Sequence, residues 1–479
     1  VDGAVNATLA LRQPGSAIKP ITYAAALDPS GPNPLTPGSV ILDVRTSFPT
    51  QEGLPYVPVN YDHRYHGPVS VREALASSYN LPAVKVLDRV GVDTMTSLAR
   101  RMGITTFDDP PDKETGRERF GLALTLGGGE VRLLELTAAY AVFANGGGRV
   151  EPVAVLEVKD AEGNRLYRAR EQNREAVLSP QVAYLISDIL ADRQARTPAF
   201  GEGSVLNLSR PAAVKTGTTT DWRDNWTVGY TPELVVGVWV GNADNQPMEG
   251  VSGVDGAGPI WHDFMELALL GRPPRQFQRP PGIVEVEICS LSGMLPTPLC
   301  PHTRTEIYSA GTEPKLYDSW YQEYLIDTAT GILAGPDVPT ERVEGRIFID
   351  LPAEAREWAR QHGWPSPPDA SRLAEQQGDQ GRSPGLIMTR PDPGSIYQLS
   401  PNLPRSAQRI EVSAHATGDV NLVEVTLYVD GVPLQRFGSS PYRAFWALEP
   451  GEHTFSAMGR TVNGQLVESD TLNVIVREE

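Results

Sequence analysis

Apolar positions recur at helical spacing through much of the first half of the chain and at alternate positions through the last hundred residues. Residues 16–27, SAIKPITYAAAL, predict an Ala-rich helix with Pro20 in its first turn, where proline is tolerated. Residues 69–77 and 81–90 predict two short helices, the second stopped at Gly91. Asp93 is placed to cap a further helix, TMTSLARRM, that Gly103 ends. LLELTAAYAVFANGG (133–147) and QVAYLISDILADR (181–193) read as amphipathic helices. The pattern then changes. AAVKTGTTT (212–220) reads as a strand, and NWTVGYTPELVVGVWVG (225–241) as two β-rich runs joined by TPE, a hairpin. IWHDFMELALLG (260–271) returns to helical spacing. Helices followed by consecutive strands predict an α+β fold built on an antiparallel sheet.

Residues 107–118 are a charged loop, and GRPPRQFQRPPG (271–282) is a proline-rich exit from the first domain. The expected organisation is a first domain over 1–270, a β-rich connecting segment over 271–350, a short helix and linker over 351–385, and an all-β domain over 386–479. In the last, IEVSAHA, LVEVTLYVDG, YRAFWALEPG, EHTFSAMGR and TLNVIV alternate between turn signals, which predicts a small immunoglobulin-like sandwich. Tyr428, Tyr442, Phe445 and Trp446 are expected in its core; a surface for binding a polymer or a partner protein is the alternative.

Composition narrows the function classes. The chain has 479 residues, 40% of them hydrophobic and 21% charged, the balance of an ordinary folded protein. Net charge is 42 − 59 = −17, which argues against nucleic acid and against docking on anionic lipid through a basic face. No apolar run approaches the ~18 residues that span a bilayer. The chain opens at Val1 with neither leader nor anchor, and reads as a piece of a longer product.

The two cysteines, Cys289 and Cys300, flank a turn rich in Gly293, Pro296 and Pro298, and a disulfide between them is expected. Two buried free thiols are the alternative. A zinc site lacks a fourth ligand beyond His302, so no metal is expected. His63 and His66, in YDHRYHG, read as surface-loop histidines because Gly67 and Pro68 break any helix there. Trp226 and Trp239 read as packing residues, and Asp221 and Asp224 as loop caps.

Three segments carry candidate chemistry: Ser16-Ala17-Ile18-Lys19, Ser78-Tyr79-Asn80 and Lys215-Thr216-Gly217-Thr218. At i and i+3 on a helix, Ser16 and Lys19 share a face. A serine hydroxyl needs a base, and a lysine serves only when neutral, which burial or a neighbouring cation such as Lys215 favours. Ser78 and Asn80 flank Tyr79, so an extended or loop segment turns a hydroxyl and an amide the same way. Gly217 leaves its strand open to an incoming backbone, and the cation and hydroxyls around it suit a carboxylate. Thr220 and Trp222 follow as candidate cleft residues. The chain uses 36 Arg but only 6 Lys, two of them at these positions; arginine cannot serve as a base.

The three motifs in this order are those of penicillin-binding proteins and class A β-lactamases. RQPGSAIKPITYAAAL, NYDHRYHGPVSVREALASSYNLPAV and VKTGTTTDWRDNWTVGYTPELVVGVWVGN resemble the transpeptidase domain of a class A penicillin-binding protein over roughly residues 1–270. GPIWHDFM and ICSLSGMLPTPLCPHT resemble the type 1C members, and LYVDG and LEPGEHTF their small C-terminal β-domain.

The resemblance implies a serine DD-peptidase/β-lactamase-like fold. It implies that Ser16 attacks the penultimate D-alanine carbonyl of a peptidoglycan stem peptide, with Lys19 as base. Ser78 then passes a proton to the leaving group, and Asn80 holds the donor. Lys215, Thr216 and Thr218 bind the terminal carboxylate, and the N–H groups of Ser16 and Thr218 form the oxyanion hole. β-Lactams would acylate Ser16 and stay. No cofactor is implied. The compartment implied is the outer face of the cytoplasmic membrane. A glycosyltransferase domain and membrane anchor are expected on the parent chain, and cell-wall assembly proteins at the C-terminal domain. Only 15 residues precede Ser16. The family normally has two sheet strands there, and without them an exposed sheet edge is expected. The rival readings are a carboxypeptidase or β-lactamase, with water as acceptor, and a β-lactam sensor or wall-binding scaffold that makes no crosslinks.

Overall fold

The β-branched and aromatic residues of 213–241 form a three-stranded antiparallel sheet: β1 (Ala213–Thr218), β2 (Asp224–Tyr230) and β3 (Val235–Gly241), in the order β3-β2-β1. Lys215 lies opposite Val228, Gly217 opposite Trp226 and Thr218 opposite Asn225. Every residue of β2 is buried, whereas every residue of β3, the outer strand, is only half-buried. The free edge of β3 has no neighbouring strand among the described residues.

The computed structural model describes all residues except 1–5, 32, 50–54, 108–119, 171, 369–385, 392, 401–403, 417–421, 462–464 and 479. The expected charged loop (107–118) and most of the expected linker therefore lie outside the described residues. Residues 1–41, 69–295 and 302–316 form one compact unit, and 42–68, 296–301 and 317–479 a second. The sequence placed 42–68 inside the first domain; in the structure it folds with the second unit.

The first unit holds α1 (Lys19–Ala26), α2 (Val71–Ala76), α3 (Asn80–Val90), α4 (Val92–Arg101), α5 (Leu133–Ala144), α6 (Pro180–Ala191), α7 (Arg193–Phe200) and α8 (Ala257–Ala268). Helices α5 and α8 pack on β2 and β3, and α6 packs on β1. Ile21, Tyr23, Leu87, Tyr140, Ile186, Val228 and Tyr230 lie in one fully buried core. Two helix boundaries differ from the sequence reading. Gly91, not Asp93, caps α4, and Asp93 sits in its first turn, where a carboxylate favours the helix dipole. Asp192 accepts the Ala195 N–H at 3.0 Å, ending α6 and starting α7, an element the periodicity did not predict. A hairpin of β4 (Ile283–Cys289) and β5 (Thr303–Ser309) follows.

The second unit is strand-rich, as predicted. Leu386–Arg390, Arg409–Ala416 and Tyr442–Ala447 form one sheet of its sandwich. Leu422–Val429, Gly451–Thr461 and Leu472–Arg477 lie in the other, together with the two-residue strand Thr46–Ser47, which pairs in parallel with Ile396–Gln398. Val412, Leu427, Phe455 and Val474 fill the core. Of the four aromatics expected there, Tyr442 is buried and Tyr428 and Trp446 are half-buried. Phe445 is half exposed, with the guanidinium groups of Arg409 and Arg443 each 5.4 Å from its ring centre. It falls on the outward phase of its strand, where cation–π contacts replace burial.

Candidate active site

Residues Gly15–Ile18 make a single 3₁₀ turn that continues into α1. Gly15 holds φ +53°, and a β-carbon there would stand 2.6 Å from the Thr218 carbonyl oxygen. Only glycine allows that backbone and that approach together. The turn therefore lies directly on β1. The Trp226 indole N–H donates to the Gln13 carbonyl at 2.7 Å, and the Tyr140 hydroxyl to the Ala17 carbonyl at 2.6 Å. These bonds grip the half-buried Ser16 from both sides along the chain.

Lys19 follows one turn later and is fully buried. Its Nζ lies 2.6 Å from the Ser78 carbonyl oxygen, 3.0 Å from the Tyr79 carbonyl oxygen and 2.8 Å from the Asn80 side-chain oxygen, and donates to all three. Ser78 sits in the left-handed region at φ +63°, and Asn80 is the first residue of α3. Of the extended or loop segment expected, the structure has the loop, and it brings both side chains to Lys19. The Ser77 hydroxyl donates to the Ala195 carbonyl at 2.8 Å, tying this loop to α7.

Lys215 reaches the same place from the sheet. Its Nζ lies 2.7 Å from Ser78 Oγ and 2.9 Å from the Thr216 carbonyl, and Lys19 Nζ lies 3.5 Å from the same Ser78 Oγ. Burial, and then the charge of Arg196, push Lys215 down to about 7. Arg196 is itself 4% exposed and donates to the Leu190 carbonyl at 2.7 Å and the Asn207 side-chain oxygen at 3.1 Å.

The remaining predicted residues divide. By strand alternation Gly217 shares the face of Lys215, and Thr216 and Thr218 take the other. Thr218 Oγ1 accepts the Gly253 N–H at 2.8 Å, which leaves its own proton to donate. Thr220 is exposed and Trp222 is 40% exposed, both in the turn after β1. The structure does not form the expected Cys289–Cys300 disulfide. The Cys300 sulfur lies 3.8 Å from the Thr297 hydroxyl. Sequence reasoning missed Tyr140, Ser77 and Arg196. Asp192, a good N-cap residue, was the one signal that could have revealed α7 and with it Arg196.

Residues 5–266 match the profile of the penicillin binding protein transpeptidase domain. Residues 279–323 match the penicillin-binding protein 1A C-terminal domain, where the sequence reading had pointed to type 1C. Residues 375–465 match the Penicillin-Binding Protein C-terminus Family. The chain is 35% identical over 287 residues to penicillin-binding protein 1A of Neisseria lactamica, covering 58% of this chain and 34% of that protein. It is 34% identical over 314 residues to penicillin-binding protein 2D of Bacillus subtilis, covering 64% and 43%. The crystal structure of penicillin-binding protein 1A from Haemophilus influenzae superposes with a TM-score of 0.57 at 29% identity, over 66% of this chain and 50% of that one. The chain thus spans between a third and a half of the length of these relatives. It belongs to the penicillin-binding protein transpeptidase family.

Proposed function

We propose that this chain is a serine acyltransferase that crosslinks peptidoglycan stem peptides and is acylated by β-lactams. The observation that carries the reading is the convergence of two lysines, 196 residues apart in sequence (215 − 19), on the hydroxyl of Ser78, beside the turn that bears Ser16.

Ser16 Oγ attacks the carbonyl carbon of the penultimate D-alanine and gives up its proton to the Lys19–Ser78–Lys215 cluster. The N–H groups of Ser16 and Thr218, on backbones held together at Gly15, receive the oxyanion. Breaking the C–N bond releases D-alanine, whose nitrogen takes a proton from Ser78. Asn80 holds the donor peptide, and Lys215, Thr216 and Thr218 its carboxylate; Thr220 and Trp222 flank the cleft. An amine of a second stem then takes the acyl group and regenerates Ser16. A β-lactam opens at the same carbonyl, but its leaving group stays tethered. The substrate places the reaction on the outer side of the cytoplasmic membrane; among the described residues no helix is long and apolar enough to cross one.

The test is a donor stem peptide incubated with an amine acceptor. Crosslinked product from the native chain, and none from Ser16→Ala, is expected. A covalent penicillin adduct without any crosslinked product favours a sensor, and release of D-alanine to water alone favours a carboxypeptidase.

A further inference from the structure

Deepening that reading, and resting on it, we propose that Gly253 and Thr227 form a clasp on β1 that fixes the Thr218 hydroxyl as a hydrogen-bond donor, and that this clasp selects acyl donors ending in a carboxylate. Thr227 is the positioning residue whose side chain closes it.

The clasp belongs to the segment between β3 and α8. Residues 242–256 leave the end of β3 and come back to β1 and β2. The segment is first pinned at the turn after β1, where the Met248 N–H bonds to the Trp222 carbonyl at 3.3 Å and the Arg223 guanidinium to the Asn245 carbonyl at 2.7 Å. Gly253 then meets the sheet itself. A β-carbon on Gly253 would stand 2.4 Å from the Gly217 carbonyl oxygen and 2.8 Å from that of Trp226, so any other residue would push the segment off both strands.

Two hydrogen bonds on the face that Thr216 and Thr218 share fix Gly253 there. Its N–H donates to Thr218 Oγ1 at 2.8 Å. Its carbonyl takes the hydroxyl proton of Thr227 at 3.0 Å, besides the Gly258 N–H at 2.9 Å that opens α8. Thr227 is fully buried and lies opposite Thr216 across the β1–β2 pair. Asn225 lies directly opposite Thr218, yet its side-chain amide bonds to no group among the described residues, so it does not compete for the hydroxyl.

The consequence lies in the hydroxyl's single proton. A threonine oxygen can present a lone pair or its O–H to a ligand. With the Gly253 N–H on one lone pair, the proton is turned away from Gly253, and accepting that bond strengthens the O–H as a donor. A carboxylate can only accept, so it meets a donor already in place. A neutral ester in the same position gains much less from it.

The experiment compares stopped-flow acylation of the full chain by benzylpenicillin and by its methyl ester, which lacks the anion. The native chain should react faster with the acid. Thr227→Val removes the hydroxyl but keeps the shape. It should slow the acid about tenfold, the usual worth of one hydrogen bond to a charged group, and leave the ester's rate unchanged. Thr227→Ser should restore the native preference. Thr218→Val should lose the preference too, and the double variant should lose no more than Thr218→Val alone, because both changes act on one bond. Equal rates for acid and ester in the native chain overturn the proposal. So does a folded Thr227→Val that slows both compounds alike or neither. If Thr227→Val does not fold, Thr227→Cys, whose thiol donates only weakly, carries the same comparison. Absence of any adduct from either compound in the native chain is a separate failure, that of the acyltransferase reading itself.

Discussion

A β-carbon on Gly217 would stand 2.1 Å from the carbonyl oxygen of Pro14, so β1 and the turn that bears Ser16 touch backbone to backbone. Gly217→Ala forces them apart by around an ångström, and a misplacement of that size costs on the order of 10²-fold in rate. Penicillin acylation is expected to fall about a hundredfold while the cooperative thermal transition survives; an unchanged acylation rate would show that the contact does not position the nucleophile.

Ser78 at φ +63° adopts a backbone that glycine takes without strain, so Ser78→Gly removes the hydroxyl and little else. Acylation should drop by roughly 10²–10⁴, the usual worth of a positioned proton-transfer group. Stopped-flow labelling against a thermal melt separates this loss from unfolding.

Arg72, at the second position of α2, joins that helix to α6 and β5: Asp188 at 2.7 Å, Asp192 at 3.1 Å and the buried Glu306 at 2.6 Å. Arg72→Ala leaves the buried Glu306 with only the Arg304 guanidinium, 3.9 Å away, and should destabilise the first unit by about 3 kcal/mol in urea unfolding. A loss below about 1 kcal/mol would mean the ion pairs act as an exposed network.

In the second unit His66 stands between Asp43, 2.6 Å from Nδ1, and Asp62, 3.0 Å from Nε2, which suits a ring protonated at both nitrogens. Burial opposes that charge, but the bonds and charges of the two aspartates outweigh it and raise its pKa above 6.5. The stability it adds is therefore fully present below about pH 6.5 and is lost as pH rises through the raised native value. The melting difference between the native chain and His66→Gln should be largest in mild acid and shrink towards alkaline pH. A pH-independent difference contradicts the pairing.

These tests fall partly on residues the sequence announced and partly on residues it concealed. Ser16, Lys19, Ser78, Asn80 and Lys215 lie in short motifs whose residue types are set by chemistry, and local spacing sufficed to pick them out. The sheet strands were legible because Trp226, Val228 and Tyr230 alternate with smaller residues over a run bounded by turn signals. That Lys19 and Lys215 meet at one hydroxyl was not legible, because Ser78 comes between them only after folding. Tyr140 acts through Ala17, far away in sequence, and α7, which carries Arg196, contains Pro198, which disguises it as a loop. The pairing of Thr46–Ser47 with Ile396–Gln398 spans some 350 residues and leaves no local periodicity to read.

The most direct measurement is the intact mass of the native chain after penicillin, followed by peptide mapping. The account predicts a single adduct of one antibiotic mass on the peptide containing Ser16, absent from Ser16→Ala. An adduct on another residue, or labelling that persists in that variant, would contradict it.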